Sequence, residues 1–108
     1  MIPFDPDRIA EELSKRGHAW ADTDAALRAL DEATKSILAE CMADAGDVSV
    51  AKAEMYGRQH LNYFAHLDAL KEARKAANRA RVNYDTFQVW IDLKRSEQAT
   101  QREQMKMR

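Results

Sequence analysis

The chain has 108 residues, 32% of them charged, with a net charge of −1 and a single cysteine. A chain of this length holds one hydrophobic core. Only three glycines and two prolines stand among many helix-favouring residues, which indicates an all-α protein. The lone Cys41 excludes an intrachain disulfide, a redox pair and a multi-cysteine zinc site. The sequence has no signal-peptide pattern and no apolar run that could span a membrane, so we expect a cytoplasmic protein without a membrane partner.

Charge is distributed unevenly along the chain. Residues 1–50 carry 11 acidic and 5 basic side chains, net −6, whereas residues 51–108 carry 7 acidic and 12 basic side chains, net +5. The two complementary arms of a helical hairpin would explain this asymmetry without an external partner, and we favour that interpretation. A surface for nucleic acid is the alternative.

The first helix is predicted to begin at Pro6, because Asp5 can cap the free amide groups and proline at the first helical position loses no hydrogen bond. Its apolar residues follow one heptad frame that continues across Gly17. The members of this frame are Ile9, Leu13, Trp20, Leu27, Leu30, Ile37 and Cys41, with Arg16, Thr23 and Thr34 as polar members. We favour a continuous helix. The alternative is a break near Gly17 that leaves a short N-terminal helix from Pro6 to Arg16.

A turn is predicted at residues 44–49, where Gly46 can end the first helix and Asp47 or Ser49 can cap the next one. The short connection favours a helical hairpin. Gly57 follows inside the first turns of the second helix, where glycine is about 1 kcal/mol less favourable than alanine. It therefore marks either a close approach of two helices or a break.

The stretch from His60 to Arg95 is predicted to form one long helix, with an apolar face at alternating three- and four-residue spacing. That face consists of Tyr63, Leu67, Leu70, Ala73, Ala77, Ala80, Tyr84, Phe87 and Ile91. We predict an antiparallel, coiled-coil-like helical hairpin that forms a single domain over residues 1–95. The polar residues 96–108 are predicted to be a frayed helix or a disordered tail.

The position of the turn also predicts the register of the hairpin. If the turn is centred near residue 47, large side chains lie opposite apolar or small ones, as a packed core requires. The predicted partners are Leu27 with Leu67, Ile9 with Tyr84, and Trp20 with Ala73 and Ala77.

Residues that could perform catalysis are few and scattered. His60 and His66 are six residues apart and therefore on different faces of a helix, whereas side chains that meet on a helix are three or four apart. Cys41 lies on the apolar face with no histidine predicted opposite it, and the three isolated glycines form no phosphate-binding loop. We therefore predict that the protein is not an enzyme and has no catalytic residue, metal, cofactor or small-molecule substrate.

Two sets of residues are candidates for recognition. Trp90 and Leu93 lie beyond the part of the second helix that the first can cover, so either Ile2 and Phe4 fold back onto Trp90 or a partner covers it. The predicted protein-interaction residues are Trp90, Leu93, Phe64 and Tyr56. The residues that could bind nucleic acid along a basic helix face are Arg74, Lys75, Arg79, Arg81, Lys94 and Arg95.

Four segments resemble small helical proteins encoded by temperate phages and prophages. They are FDPDRI at 4–9, AWAD at 19–22, RARVNYD at 79–85 and IDLKRSEQAT at 91–100. The resemblance implies an accessory protein of a mobile element, in the cytoplasm of a bacterial host and without an established activity. We therefore expect a non-catalytic module that binds a protein partner and forms a homo-oligomer, such as an anti-CRISPR inhibitor of host defence. The alternative is a nucleic-acid-associated factor in phage recombination or replication.

Overall fold

The structure is a computed structural model that describes residues 4–107. It consists of three helices, α1 (Pro6–Ala43), α2 (Val50–Arg58) and α3 (Leu61–Lys106), and the described residues contain no strand. The all-α prediction is therefore confirmed. The polar segment predicted as a frayed helix or disordered tail is helical as far as Lys106. The single domain over residues 1–95 stays a prediction.

Contacts within the chain define two compact units. Unit 1 comprises Met1–Ala21 and Asn78–Arg108, of which 4–21 and 78–107 are described, and unit 2 comprises Asp22–Ala77. Each unit pairs a segment of α1 with a segment of α3, and unit 2 also contains α2.

The paired segments are antiparallel in each unit, as the hairpin prediction requires. In unit 1, Phe4 lies beside Trp90, and Gly17, farther along α1, lies beside the earlier α3 residue Tyr84. Unit 2 shows the same order, because Thr34 contacts His66 and the later residue Asp44 contacts His60.

The first helix begins where its capping residue predicts. The amide of Asp7 donates a 3.1 Å hydrogen bond to Asp5 Oδ1, and Pro6 is the first helical residue. The helix continues without interruption through Gly17 to Ala43, so the continuous helix is confirmed and the alternative break near Gly17 is wrong. A Cβ atom at Gly17 would meet Tyr84 at 3.5 Å, an ordinary van der Waals distance.

The interruption in the chain lies instead between α2 and α3. Gly46, with φ of +79°, follows α1, and the Ser49 side chain caps α2 by accepting a 3.3 Å hydrogen bond from Lys52 N. The predicted helix start at His60 is close to the observed start at Leu61, and a separate α2 corresponds to the alternative of a break at Gly57. His60 caps α3 itself, because its Nδ1 accepts a 3.0 Å hydrogen bond from Asn62 N.

Gly57 serves the close approach that its position predicts. A Cβ atom there would lie 2.8 Å from Met42 Cγ, 3.2 Å from Met42 N and 3.2 Å from Leu38 Cδ1. Such distances leave no room for a side chain, so glycine allows α2 to pack against the end of α1. The alternative prediction, a break, holds as well, because α2 ends at the next residue, Arg58.

The heptad frame of α1 is confirmed. Its ten members are all buried or half-buried, including the three polar ones, Arg16, Thr23 and Thr34. Cys41 is nevertheless the one buried residue of this 38-residue helix, and the other members of the frame are half-buried. The face of α1 that meets α3 is therefore only partly covered.

The apolar face of α3 departs from the prediction at one position. His66 is buried, with 6% of its surface exposed, whereas Leu67 is 37% exposed. The residues that α3 buries most deeply are Tyr63, His66, Leu70, Ala77, Ala80, Phe87 and Ile91. Sequence reasoning preferred Leu67 because it is apolar, but the strict alternation of three and four residues selects position 66.

The predicted register is wrong. Tyr84, expected opposite Ile9, lies beside Gly17, and the ring of Trp20, expected to face alanines, is centred 5.4 Å from the ring of Tyr84. Leu27 was expected opposite Leu67, whose place in the core His66 takes. The physical reason is α2, which lengthens the connection so that each α1 residue meets a later residue of α3 than a short turn would allow.

Candidate protein-interaction surfaces

Trp90 is held between two aromatic rings of unit 1. Its ring stacks on Phe87 at 5.4 Å with an angle of 22° between the planes, and Phe4 meets it edge-on at 6.1 Å. Phe87 is completely buried and Trp90 is half-buried. Phe4 therefore covers part of Trp90, as one of the two predicted alternatives requires. Ile2, the other residue predicted to cover it, lies outside the described residues.

Arg16 occupies a core position of α1 because its charge is well satisfied. The guanidinium lies 4.6 Å from the centre of the Phe87 ring, and Nη1 donates a 3.1 Å hydrogen bond to the carbonyl oxygen of Asn83. Its Nε donates a 2.7 Å hydrogen bond to Glu12 Oε1, which holds the pKa of Glu12 below its ordinary value. A cation thus packs on an aromatic ring inside unit 1 without losing its partners.

Leu93 belongs to an apolar stripe on the outer face of α3 in unit 1. Val82, Val89 and Leu93 are 53%, 57% and 65% exposed, and their spacings of seven and four residues place them on one helix face. Asp85 and Asp92 are exposed along one edge of that face. We call these five residues the acidic-edged stripe.

A groove lies between α1 and α3 in unit 1 and has a volume of about 630 Å³. Apolar side chains line it, among them Ile9, Leu13 and Ile91, and Arg95 and Arg102 lie along its α3 side. Both arginines are exposed, and neither has an ion pair within the described part of the chain. We call this feature the basic groove.

Tyr56 and Phe64 lie on an exposed apolar patch of unit 2. Tyr56 is 46% exposed, Leu61 81% and Phe64 50%, and Tyr56 and Leu61 line one depression of about 350 Å³. Leu61 and Phe64 are three residues apart on α3 and so are neighbours on its surface. The Tyr56 ring is centred 5.9 Å from that of His60, which ties α2 to the start of α3. We call Tyr56, Leu61 and Phe64 the unit 2 patch.

In unit 2 the predicted nucleic-acid-binding residues lie beside carboxylates. Arg74 approaches Asp31 at 4.0 Å, and Lys75 lies 3.6 Å from Glu72. These basic side chains are thus partly neutralised by the protein itself.

In unit 1 the remaining basic residues are spread around α3. Lys94 lies 3.4 Å from Glu97, and Arg95 lines the basic groove. Arg79 and Arg81 are two residues apart, which turns them about 200° from each other around the helix. These two residues therefore do not share a face.

Two of the three histidines, His60 and His66, are engaged in side-chain contacts. His66 Nε2 lies 2.8 Å from Thr34 Oγ1 inside unit 2, and His60 Nε2 lies 3.0 Å from Asp44 Oδ2 near the turn. Cys41 is buried. Within residues 4–107, no three histidine, cysteine, aspartate or glutamate side chains are grouped so that they could hold a metal ion.

Comparison with other proteins does not extend this description. No family model matches the chain, and neither a curated protein nor a solved structure is significantly similar to it. No helix in the described part of the chain is long and apolar enough to cross a membrane. The fold itself defines the class, an all-α protein.

The sequence predicted Leu93 and the exposed flank around Tyr56 and Phe64, but it did not predict Leu61, the acidic-edged stripe or the basic groove. The seven-residue spacing of Val82 and Val89 was a usable signal for the acidic-edged stripe. The basic groove had no such signal, because it combines residues from distant parts of the sequence.

Proposed function

We propose that the protein is a non-catalytic module that binds a protein partner and self-associates. The observation that carries this proposal is the unit 2 patch, where three large apolar side chains lie together in solvent. Aromatic side chains gathered in an exposed patch are typical of protein-binding surfaces, since burying them in a complex removes much apolar area from water. We assign partner binding to this patch and self-association to unit 1.

The biological setting of the proposal is that of a phage or prophage accessory protein in a bacterial cytoplasm. Its support is the sequence resemblance of segments at both ends of the chain. A small protein without catalytic groups can act in that setting by occupying a surface of a host protein, as an anti-CRISPR inhibitor does. Trp90 contributes less to such a surface than the sequence suggested, because two aromatic rings already flank it.

Binding to nucleic acid is the alternative function, and one observation favours it. Arg95 and Arg102 are exposed and lack carboxylate partners among the described residues, so they could contact phosphates. The apolar lining of the groove beside them suits a polypeptide better than a sugar–phosphate backbone.

The test is a comparison of captured proteins from a bacterial host lysate. Wild-type protein and the variant Leu61→Ser/Phe64→Ser are each coupled to resin, with Met105→Ser as the matched control. Met105 is 73% exposed and lies in unit 1, so it carries an exposed apolar side chain outside the patch. We expect a specific protein with wild type and the control, and recovery reduced at least about tenfold with the patch variant.

Binding to short single- and double-stranded DNA separates the two functions. If the alternative holds, fluorescence anisotropy shows an affinity that falls steeply with salt and is lost in Arg95→Glu/Arg102→Glu. Equal capture by wild type and Leu61→Ser/Phe64→Ser would reject the patch as the partner-binding surface.

A further inference from the structure

The basic groove and the acidic-edged stripe, both in unit 1, have opposite charges. The groove presents apolar side chains beside Arg95 and Arg102, and the stripe presents apolar side chains beside Asp85 and Asp92. Arg81 and Arg95 are close to these aspartates in sequence, yet neither aspartate has an ion pair among the described residues. All four charged groups are therefore exposed and available to a partner.

The spacing of the charges also matches. Arg95 and Arg102 are seven residues apart on α3, and so are Asp85 and Asp92. Seven residues span two helical turns, about 10.5 Å at 1.5 Å per residue. A helix that presents two carboxylates at this distance can therefore reach both guanidinium groups at once.

From this match we infer that unit 1 self-associates head to tail, with the acidic-edged stripe of one copy seated in the basic groove of another. Val82, Val89 and Leu93 of the first copy then cover the apolar groove of the second, in the manner of a helix in a groove. The inference rests on the self-association in the proposed function and names the surfaces that carry it. It involves neither the unit 2 patch nor the unidentified partner.

The charges also disfavour a contact in which two copies meet through the same surface. Two basic grooves facing each other would bring four guanidinium groups together, and two stripes would bring four carboxylates together. A groove that meets a stripe instead pairs opposite charges. Such a contact uses two different surfaces, so each copy can bind one neighbour through its groove and another through its stripe.

Charge reversal provides the test, with mass measured by light scattering and sedimentation velocity over a range of concentrations. The groove variant is Arg95→Glu/Arg102→Glu, and the stripe variant is Asp85→Arg/Asp92→Arg. The matched control is Lys52→Glu/Lys71→Glu, which reverses two exposed lysines of unit 2 that lack ion pairs among the described residues. Circular dichroism verifies that each variant remains helical.

We expect the mass of wild type and of the control to increase with concentration. Each reversed variant alone should need at least about tenfold higher concentration to associate, since like charges then meet at the contact. An equimolar mixture of the groove and stripe variants should associate again, because each acidic groove then meets a basic stripe. The quadruple variant should also recover self-association.

Three results would overturn the inference. They are a wild-type chain that stays monomeric at its highest soluble concentration, association that survives both reversals, and reversed variants that do not recover when mixed. Failure of head-to-tail self-association can be distinguished from failure of the proposed partner binding, because Leu61→Ser/Phe64→Ser leaves unit 1 unchanged. If that variant loses its partner but still self-associates, partner binding by the unit 2 patch is supported independently of the charge-reversal results.

Discussion

The two units fill the same heptad frame with different chemistry. Unit 1 places aromatic rings inside, with Phe87 completely buried against Trp90 and beneath the guanidinium of Arg16. Unit 2 places a polar pair inside, Thr34 with His66. The side chains of the unit 2 patch remain exposed to solvent.

The comparison indicates that a residue's position in the heptad determines whether it is buried. The type of side chain then determines how much its burial contributes to stability. His66 is buried at a core position while Leu67, its apolar neighbour, remains more than one-third exposed.

In unit 1 the aromatic rings of Phe87 and Trp90 pack against each other, whereas in unit 2 two aromatic side chains, Tyr56 and Phe64, are about half exposed. The stability of unit 1 should therefore depend on the packing of aromatic rings. That of unit 2 should depend on the close approach of α2 to α1 at Gly57 and on the hydrogen bond between Thr34 and His66.

Phe87→Ala should have the largest effect, because it removes the most deeply buried ring of unit 1. We expect a loss of about 3–5 kcal/mol in the free energy of unfolding, from lost burial and the cavity left behind. Urea unfolding followed by circular dichroism measures it. The control Val89→Ala alters a side chain that is 57% exposed and should change stability by about 0.5 kcal/mol or less. Similar losses in both variants would show that rings do not dominate unit 1.

Gly57→Ala should destabilise unit 2 despite the helical preference of alanine. The new methyl group would lie 2.8 Å from Met42 Cγ and 3.2 Å from Met42 N, so α2 must shift away from α1. We expect a loss of about 1–3 kcal/mol in the free energy of unfolding, measured in urea. A neutral or stabilising effect would contradict the close approach.

Gly17→Ala is the matched control for that substitution. It also replaces a helical glycine, but the methyl group would meet Tyr84 at 3.5 Å, an ordinary contact. Here the helical preference of alanine should prevail and stabilise the protein by about 0.5–1 kcal/mol. The two glycines should therefore respond with opposite signs.

Thr34→Val tests the polar pair of unit 2. Valine has a similar shape but no hydroxyl, so His66 Nε2 would lose the partner that lies 2.8 Å away inside the protein. Leaving a buried polar group unpaired should cost about 1–3 kcal/mol in the free energy of unfolding. Thr34→Ser keeps the hydroxyl and should lose less. Valine keeps the γ-methyl group that serine lacks, so an unchanged free energy of unfolding in Thr34→Val would contradict a stabilising contribution from the hydrogen bond.

Tyr56→Ser/Phe64→Ser should have a much smaller effect on stability than Phe87→Ala. Both side chains are about half exposed and Tyr56 contacts His60, so we expect a loss of about 1 kcal/mol in the free energy of unfolding. Urea unfolding of this variant and of Phe87→Ala under the same conditions compares the two losses directly. A loss near that of Phe87→Ala would show that these residues belong to the core and would remove the reason to assign them to binding.

The sequence predicted α1 almost completely, since Asp5, Pro6 and the unbroken heptad frame all carry recognised signals. It offered the end of α2 only as one of two alternatives at Gly57, because no proline interrupts the chain there and the cap of α3 is a histidine rather than a usual capping residue. The predicted register assumed a short turn without α2 as a separate helix and was therefore shifted.

The candidate surfaces were predictable only in part. Exposed residues such as Leu93 and Phe64 stand out from the core pattern of one helix, so the sequence could name them. The basic groove depends on which α1 residues face Arg95, and therefore on the register itself. An error in register hides such a feature even when each helix is predicted well.

The distribution of three side chains gives each unit its own optical or chemical reporter. Trp20 and Trp90 both lie in unit 1, whereas the buried Cys41 lies in unit 2. Tryptophan fluorescence, excited where tyrosine does not absorb, therefore follows the melting of unit 1, and the rate at which a thiol reagent labels Cys41 follows transient opening of unit 2. An unmodified chain can thus reveal whether the two units unfold together or in sequence.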